Sequence, residues 1–212
     1  MKTPSKTQHR RTALAPLMVF IILLAWANPF QALGQEAQDR MILPPPVEIS
    51  GQDANPRIIE ASRMGDATTI KELLSQGVSV ETTDVLGNSA LNCAVESEQT
   101  ECVKVLLDQG ALVNTRTYNG YTPLILSAIK GQKEVAKMLM EKGADVNATD
   151  PYGWTALMNA VYLGDTEMVK LLVEGGTNVN HKNYLGRSAL FISINTGREA
   201  ITRLLKKAGA AE

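Results

Sequence analysis

Few residues of this 212-residue chain combine a reactive side chain with the neighbours that chemistry would need. His181 is the single histidine beyond residue 34, whereas a zinc site needs three or four converging ligands and a catalytic triad needs partners. Glu96 and Glu98 lie near a predicted helix end, where solvated carboxylates are ordinary. Gly175-Gly176 has neither the preceding strand nor the following Gly-Lys-Ser/Thr of a phosphate-binding loop. The sequence therefore predicts no catalytic residue, no metal site and no cofactor.

The elements that would position any site follow an internal repeat of 33 residues. Two glycine series keep this spacing, and leucine and valine series keep it as well. The first glycine series is Gly87, Gly120, Gly153 and Gly186, and the second is Gly77, Gly110, Gly143, Gly176 and Gly209. Such a register is the sequence signature of a repeat architecture, in which each unit stacks on the next.

Each repeat carries the signals of two helices. A hydroxyl residue that can cap a helix precedes the first one, at Ser89, Thr122, Thr155 and Ser188. After about eight residues a glycine permits a left-handed turn, at Gly65, Gly131, Gly164 and Gly197. The second helix carries a Val/Ile-x-x-Leu-Leu face and ends at the second glycine series. Neither helix can bury its apolar face alone, so we expect the helix pairs to stack into a solenoid.

Three segments resemble the ankyrin repeat: Asn119-Gly120-Tyr121-Thr122-Pro123-Leu124, Gly143-Ala144-Asp145-Val146-Asn147-Ala148 and Tyr152-Gly153-Trp154-Thr155-Ala156-Leu157. The resemblance covers residues 56–212 and implies five units, at about 56–83, 84–116, 117–149, 150–182 and 183–212. It implies an all-α ankyrin-repeat solenoid of helix-turn-helix units with short β-hairpin fingers. In that family the fingers and first helices line a concave groove that binds proteins.

The chain departs from the family pattern at several places. The first unit lacks its hairpin, and Arg198, Arg203, Lys206 and Lys207 leave the last helix partly charged, as expected of solvent-facing caps. Glu98 replaces a turn glycine, which predicts a strained or reshaped turn. The family's histidine after the first leucine is absent, which predicts that most of its hydrogen bonds between repeats are lost. The residues in its place are Asn92, Ile125, Met158 and Phe191.

The variable positions of the family carry aromatic and apolar residues here. Tyr and Trp dominate binding hot spots, because they offer a large contact area at a small entropy cost. We therefore predict a protein-binding surface, rimmed by Arg116, Lys130 and Lys182. Its residues are Val85, Leu86, Tyr118, Tyr121, Ile129, Tyr152, Trp154, Tyr162, Leu163, Tyr184, Leu185 and Arg187. The alternative is that these rings only pack on adjacent fingers.

Cys93 and Cys102 are the only cysteines, and the register places them on the two helices of one unit. In one interpretation both are small core hydrophobes, since Leu126 and Val135 fill the equivalent positions in the next unit. In the other they form a disulfide, which export to an oxidising compartment would favour. The sequence leaves both open, because facing helices hold the Cα atoms near the upper limit for a bridge.

Residues 1–34 have the features of a secretory signal peptide, with four basic residues ahead of an apolar run over 13–27. We predict cleavage between Gly34 and Gln35. The alternative is a retained signal anchor, although the run is shorter than the roughly 20 residues that a spanning helix needs. Residues 35–55, with Pro44-Pro45-Pro46, are predicted to be an extended linker. Its apolar residues could instead cover the first repeat or engage a partner: Met41, Ile42, Leu43, Val47 and Ile49.

Removal of the predicted leader leaves 17 basic and 22 acidic residues. A nucleic-acid partner is not expected, because that role needs a concentrated basic face. The resemblance is to exported single-domain ankyrin proteins of Gram-negative bacteria, some of them associated with oxidative-stress defence. We expect a periplasmic or secreted, monomeric, non-catalytic module that binds an exported protein. The alternatives are an inner-membrane-tethered scaffold and an enzyme.

Overall fold

The computed structural model describes residues 56–211, which fold into ten α-helices with no strand among them. In chain order the helices are α1 (Pro56–Met64), α2 (Ala67–Ser75), α3 (Ala90–Glu96), α4 (Thr100–Asp108), α5 (Pro123–Lys130), α6 (Lys133–Glu141), α7 (Ala156–Leu163), α8 (Thr166–Glu174), α9 (Ala189–Asn195) and α10 (Glu199–Lys207). None of these ten helices could cross a membrane, given their lengths and hydropathy. The predicted signal peptide (1–34), the Gly34/Gln35 cleavage and the predicted linker (35–55) lie outside the described residues.

Side-chain caps begin four of the odd-numbered helices. The hydroxyl oxygens of Ser89 and Thr122 accept a hydrogen bond from the backbone N–H three residues later, at 3.2 and 3.3 Å. Thr155 and Ser188 do the same at 3.3 and 3.2 Å. Each bond satisfies a backbone donor that the helix itself leaves unpaired, and replacing such a cap by alanine costs about 1 kcal/mol. The predicted caps are confirmed.

A left-handed residue follows the first helix of every pair. Gly131 and Gly164 follow α5 and α7 with φ of 69° and 80°. Glu98 occupies the equivalent place after α3 with φ of 60°, and it is the one non-glycine residue with positive φ among residues 56–211. A side chain with a Cβ crowds the backbone in this region. The strained turn predicted at Glu98 is confirmed.

The helices form two layers. The odd-numbered helices, called the inner helices below, pack side by side in chain order, and so do the even-numbered outer helices. Each inner helix also packs on the outer helix that follows it. The core lies between the layers, where one column is at most 1% exposed: Ile58, Leu91, Leu124, Leu157 and Leu190. Burial of each such side chain contributes roughly 1.5–3 kcal/mol, which stabilises a stack of helix pairs over separate short helices.

Four connecting loops join the helix pairs: loop 1 (84–88), loop 2 (117–121), loop 3 (150–154) and loop 4 (183–187). In every loop the N–H of the first residue donates to the carbonyl of the last, at 2.9 to 3.0 Å. Isolated antiparallel bridges flank loops 1, 3 and 4, at Thr83–Ser89, Thr149–Thr155 and Lys182–Ser188. Single bridges thus take the place of the predicted β-hairpin strands within the described residues, so that part of the prediction is not confirmed.

Candidate interaction surface

The first side chain of each loop holds the turn. In loop 3, the Oδ1 atom of Asp150 accepts hydrogen bonds from the N–H groups of Tyr152 and Trp154, both at 2.8 Å. Asp84 and Asn183 make the equivalent two bonds in loops 1 and 4. The short side chain accepts hydrogen bonds that a backbone carbonyl would otherwise accept, and the turn is therefore tight. The two residues that follow each of these positions therefore lie at the tip.

Hydrogen bonds join successive loops into one row. The N–H of Tyr118 in loop 2 donates to Oδ1 of Asn88 in loop 1 at 2.8 Å. One guanidinium nitrogen of Arg116 donates to the carbonyls of Gly120 and Thr149, at 2.8 and 2.7 Å, and so bridges loop 2 to the start of loop 3. The N–H of residue 184 then donates to the carbonyl of residue 152 at 3.3 Å. The tips are therefore held in fixed relation to one another.

Large apolar side chains are exposed along this row. Val85, Tyr118 and Tyr184 are 87%, 71% and 76% exposed, and they occupy one position of the 33-residue register. The other predicted residues that are exposed are Leu86, Leu163 and Leu185, and those that are half-buried are Tyr121, Ile129, Tyr152, Tyr162 and Arg187. Eleven of the twelve predicted binding residues thus have accessible surface.

Trp154 is the exception among the twelve, because its side chain is buried, at 9% exposure. Its ring meets the ring of Tyr162 edge to face, with centroids 5.9 Å apart. Aromatic pairs of this geometry contribute roughly 0.5–1.5 kcal/mol beyond their area. Trp154 therefore packs against Tyr162 of α7 and supports the position of that ring.

One exposed residue of this surface was missed by the sequence analysis. Met64, the last residue of α1, is 75% exposed. It stands three repeats before Leu163, which was predicted. The 33-residue register could have identified it, because Met64 and Leu163 occupy the same position at the end of an inner helix and both are exposed.

Several charged side chains around this surface contact other residues of the protein. The Arg63 guanidinium lies 2.7 Å from a carboxylate oxygen of Asp84, which joins α1 to loop 1. The ammonium of Lys130 lies 3.9 Å from the carboxylate of Glu98. The Arg187 guanidinium lies over the ring of Phe191, 5.8 Å from its centroid. These residues and Arg116 therefore hold neighbouring parts of the surface together, and they also carry its charge.

Asp150 has unusual electrostatics for a loop residue. Its side chain is 3% exposed, and this burial raises its pKa to about 6, although two backbone N–H bonds and the Arg116 charge oppose the shift. Burial, with the Asp150 charge as a second cause, raises the pKa of Tyr121 to about 12. Burying a carboxylate disfavours its charged form. Asp150 therefore titrates nearer to neutrality than an ordinary aspartate.

The two cysteines are free thiols in the structure. Cys93 is 1% exposed and Cys102 is fully buried. Burial raises the pKa of each thiol to about 11, and it outweighs the nearby Arg63 charge that acts to lower the pKa of Cys93. Because the thiolate is the reactive form, neither side chain has the environment of a nucleophile.

A buried amide without partners lies between the repeats. Asn92 is fully buried in α3, and neither its Oδ1 nor its Nδ2 atom has a hydrogen-bond partner. Ile125 and Met158 occupy the same position in α5 and α7, and they are equally buried. The inter-repeat hydrogen bonds predicted to be lost are absent here, and the unpaired amide carries a desolvation cost of roughly 1–3 kcal/mol.

Across residues 56–211 no three His, Cys, Asp or Glu side chains are grouped as metal ligands would be. The family described as "Ankyrin repeats (3 copies)" matches residues 58–150 and 143–211 of the chain. A search of curated proteins found no match. Ankyrin repeats generally mediate protein–protein interaction, and they are typically non-enzymatic. With helix pairs, capped inner helices and matched segments that together span 58–211, the chain belongs to the ankyrin-repeat family.

Proposed function

We propose that this protein is a non-catalytic binding module whose row of loop tips and inner-helix ends contacts an exported protein. The observation that carries the proposal is the column of Val85, Tyr118, Pro151 and Tyr184, one residue from each successive loop. Three of these four are large apolar side chains that are more than two thirds exposed. Contiguous exposed apolar residues of this kind commonly mark interaction sites.

The rigidity of the row supports the same function. Successive loops are linked by the hydrogen bonds of Asn88, Arg116 and Tyr184, so little conformational freedom remains to be lost on binding. A preorganised surface binds more tightly, because the ordering cost is met during folding. Tyrosine is suited to such a surface, since its ring is apolar while its hydroxyl can hydrogen-bond to the partner.

The biological role belongs to the same proposal. The leader predicted over residues 1–34 favours a periplasmic or secreted protein, acting as an adaptor, inhibitor, immunity factor or stress-defence accessory. The second candidate is a scaffold tethered to the inner membrane by an uncleaved leader. Cell fractionation with N-terminal sequencing separates the two. A protein that starts at Gln35 in the soluble exported fraction excludes the tether, whereas an intact leader in the membrane fraction excludes the cleaved form.

Photo-crosslinking from the row tests the binding surface. A photoreactive residue in place of Tyr118 or Tyr184 should join the protein to one exported protein. The matched controls replace Lys104 or Lys137, which are exposed on the outer helices α4 and α6 and should give no such product. Equal crosslinking from both faces contradicts the proposal.

A substitution then measures the contribution of the tips. Tyr118→Ala combined with Tyr184→Ala should weaken binding of the crosslinked partner at least tenfold, because hot-spot tyrosines each contribute more than about 1 kcal/mol. Circular dichroism and urea unfolding establish that the double variant is folded. Unchanged affinity in a folded double variant contradicts a role for the tips.

A further inference from the structure

The last inner helix exposes two apolar side chains whose counterparts in earlier repeats are buried. Phe191 and Ile194 in α9 are 47% and 50% exposed. The counterparts, all at most 1% exposed, are Asn92, Ile125 and Met158 for Phe191, and Val95, Ala128 and Val161 for Ile194. In each earlier repeat the next helix pair covers these positions, and within residues 56–211 no helix pair follows α10.

The last outer helix, by contrast, is polar at the same end. Thr202 and Lys206 in α10 stand where α8 has Val169 and Val173. The Thr202 hydroxyl is paired, at 2.9 Å from the hydroxyl of Ser193. The outer helix is therefore adapted to solvent while the inner helix is not. We call the surface formed by these positions the end face: Phe191, Ile194, Thr202 and Lys206.

The end face lies in the basic part of an otherwise acidic domain. Residues 56–182 contain sixteen acidic and eleven basic residues, whereas residues 183–211 contain one acidic and five basic residues. Like charges in this last repeat disfavour direct pairing of two end faces. Charge complementarity therefore calls for an occupant that is acidic as well as apolar.

Residues 43–53 of the same chain have that composition. They contain Leu43, Val47 and Ile49, with the acidic residues Glu48 and Asp53 and no basic residue. Pro44-Pro45-Pro46 favours an extended polyproline conformation, which loses little entropy on binding and which aromatic surfaces commonly accept. Phe191 supplies such a ring, and Lys206 supplies the opposite charge.

The segment of a second copy fits this requirement better than the chain's own segment. Six residues lie between Ile49 and Pro56, so the seven steps of chain limit the separation of these two residues to about 25 Å when fully extended. Five stacked helix pairs, with axes 8–10 Å apart, place the first and last inner helices roughly 32–40 Å apart. Ile49 and its neighbour Glu48 therefore fall short of the end face of their own solenoid, so a pairing of Glu48 with Lys206 must be intermolecular.

We propose that the end face binds residues 43–49 of a second copy of this chain, so that the protein self-associates head to tail. The aliphatic residues and prolines of the segment cover Phe191 and Ile194, and Glu48 pairs with Lys206. This contact leaves the loop tips at Val85, Tyr118 and Tyr184 open to a partner, although Arg187 of loop 4, whose guanidinium lies over the Phe191 ring, borders both surfaces. It also replaces the monomer expected from the sequence, so the oligomeric state is the readout.

Reciprocal charge reversal tests the contact in the protein purified as its cells produce it. Sedimentation equilibrium should show concentration-dependent self-association. Glu48→Lys and Lys206→Glu should each weaken it at least tenfold, and the two combined should restore it to within about threefold of the wild type. Lys207→Glu is the matched control, because it makes the same charge change one position away from the end face and should have little effect.

A second variant separates the apolar contribution. Phe191→Gln should weaken self-association at least tenfold, while the same change at exposed Tyr184, on a loop tip, should leave it unchanged. Urea unfolding establishes that each variant is folded. A protein that is monomeric at all concentrations overturns the proposal, and so does self-association that Glu48→Lys leaves intact. Crosslinking of an exported partner from the loop tips would be unaffected by either result.

Discussion

Asp150 and Asn183 hold equivalent turns with the same two backbone hydrogen bonds, although only Asp150 can carry a charge. In both residues one Oδ1 atom accepts from the N–H groups two and four positions later. The turn therefore requires an oxygen acceptor and not a negative charge. This equivalence within one chain makes Asp150→Asn a nearly isosteric test of what burial of the carboxylate costs.

Asp150→Asn should stabilise the protein at pH 7 and should stabilise it much less at pH 4.5. Burial raises the pKa of Asp150 to about 6, so the folded state binds this proton more tightly than the unfolded state does. Stability from this group is then present at low pH and is lost as the pH rises from about 4 to about 6. The loss is at most about 3 kcal/mol, from about 1.36 kcal/mol per pKa unit. Urea unfolding of both proteins at the two pH values measures this loss. If the free energy of unfolding of the wild type rises relative to that of the variant as the pH increases, the burial argument is refuted.

Asn92→Ile should raise the free energy of unfolding by roughly 1–3 kcal/mol. The substitution removes a fully buried amide with no hydrogen-bond partner and supplies the residue that Ile125 provides in the next repeat. The reverse exchange, Ile125→Asn, is the matched control and should destabilise by a similar amount or more. Urea unfolding measures both. A destabilised Asn92→Ile protein would mean that the amide has a partner or a function.

Glu98→Gly should stabilise the protein by roughly 0.5–1 kcal/mol. Glu98 has φ of 60°, a left-handed conformation that glycine adopts without a steric cost. The long contact of its carboxylate with Lys130, at 3.9 Å, is largely solvent-screened and contributes little. Gly131→Ala, at the equivalent turn of the next repeat, should be destabilising instead. If thermal unfolding orders these two substitutions the other way, strain does not govern the turn.

Cys93 and Cys102 should not react with a thiol reagent at pH 8 while the protein is folded. Both side chains are buried, so the reagent cannot reach the sulfur atoms. Burial also raises the pKa of each thiol to about 11, so little of the reactive thiolate is present at pH 8. Two equivalents of reagent should be consumed in concentrated urea. Mass spectrometry of the non-reduced protein provides the control, since a mass lower by two hydrogens would reveal the disulfide that the structure lacks.

The fold is largely predictable because its signals are local. The hydroxyl caps at Ser89, Thr122, Thr155 and Ser188 and the turn glycines act within a few residues, and the 33-residue register repeats them. Even the strained turn follows from one substitution, Glu98, at a glycine position. Strands were expected at the loops and are not formed, because each pair of loop ends makes only a single bridge at most.

The candidate site is predictable only in part, because exposure depends on neighbours that are distant in sequence. Tyr118 and Trp154 are both loop aromatics, yet the first lies at a tip and the second packs against Tyr162. The bridge from Arg116 to Thr149 likewise joins residues of adjacent repeats.

The sequence by itself determined the helix pairs, their caps and their register, since each of these depends on residues close together in the chain. Only the tertiary structure decided which side chains of that register are covered. Asn92 and Phe191 occupy one position of the repeat, and one is fully buried while the other is half exposed. The physical reason is that a repeat buries its neighbour's surface and not its own. The same position of the repeat therefore becomes core, interface or exposed surface according to what stacks upon it.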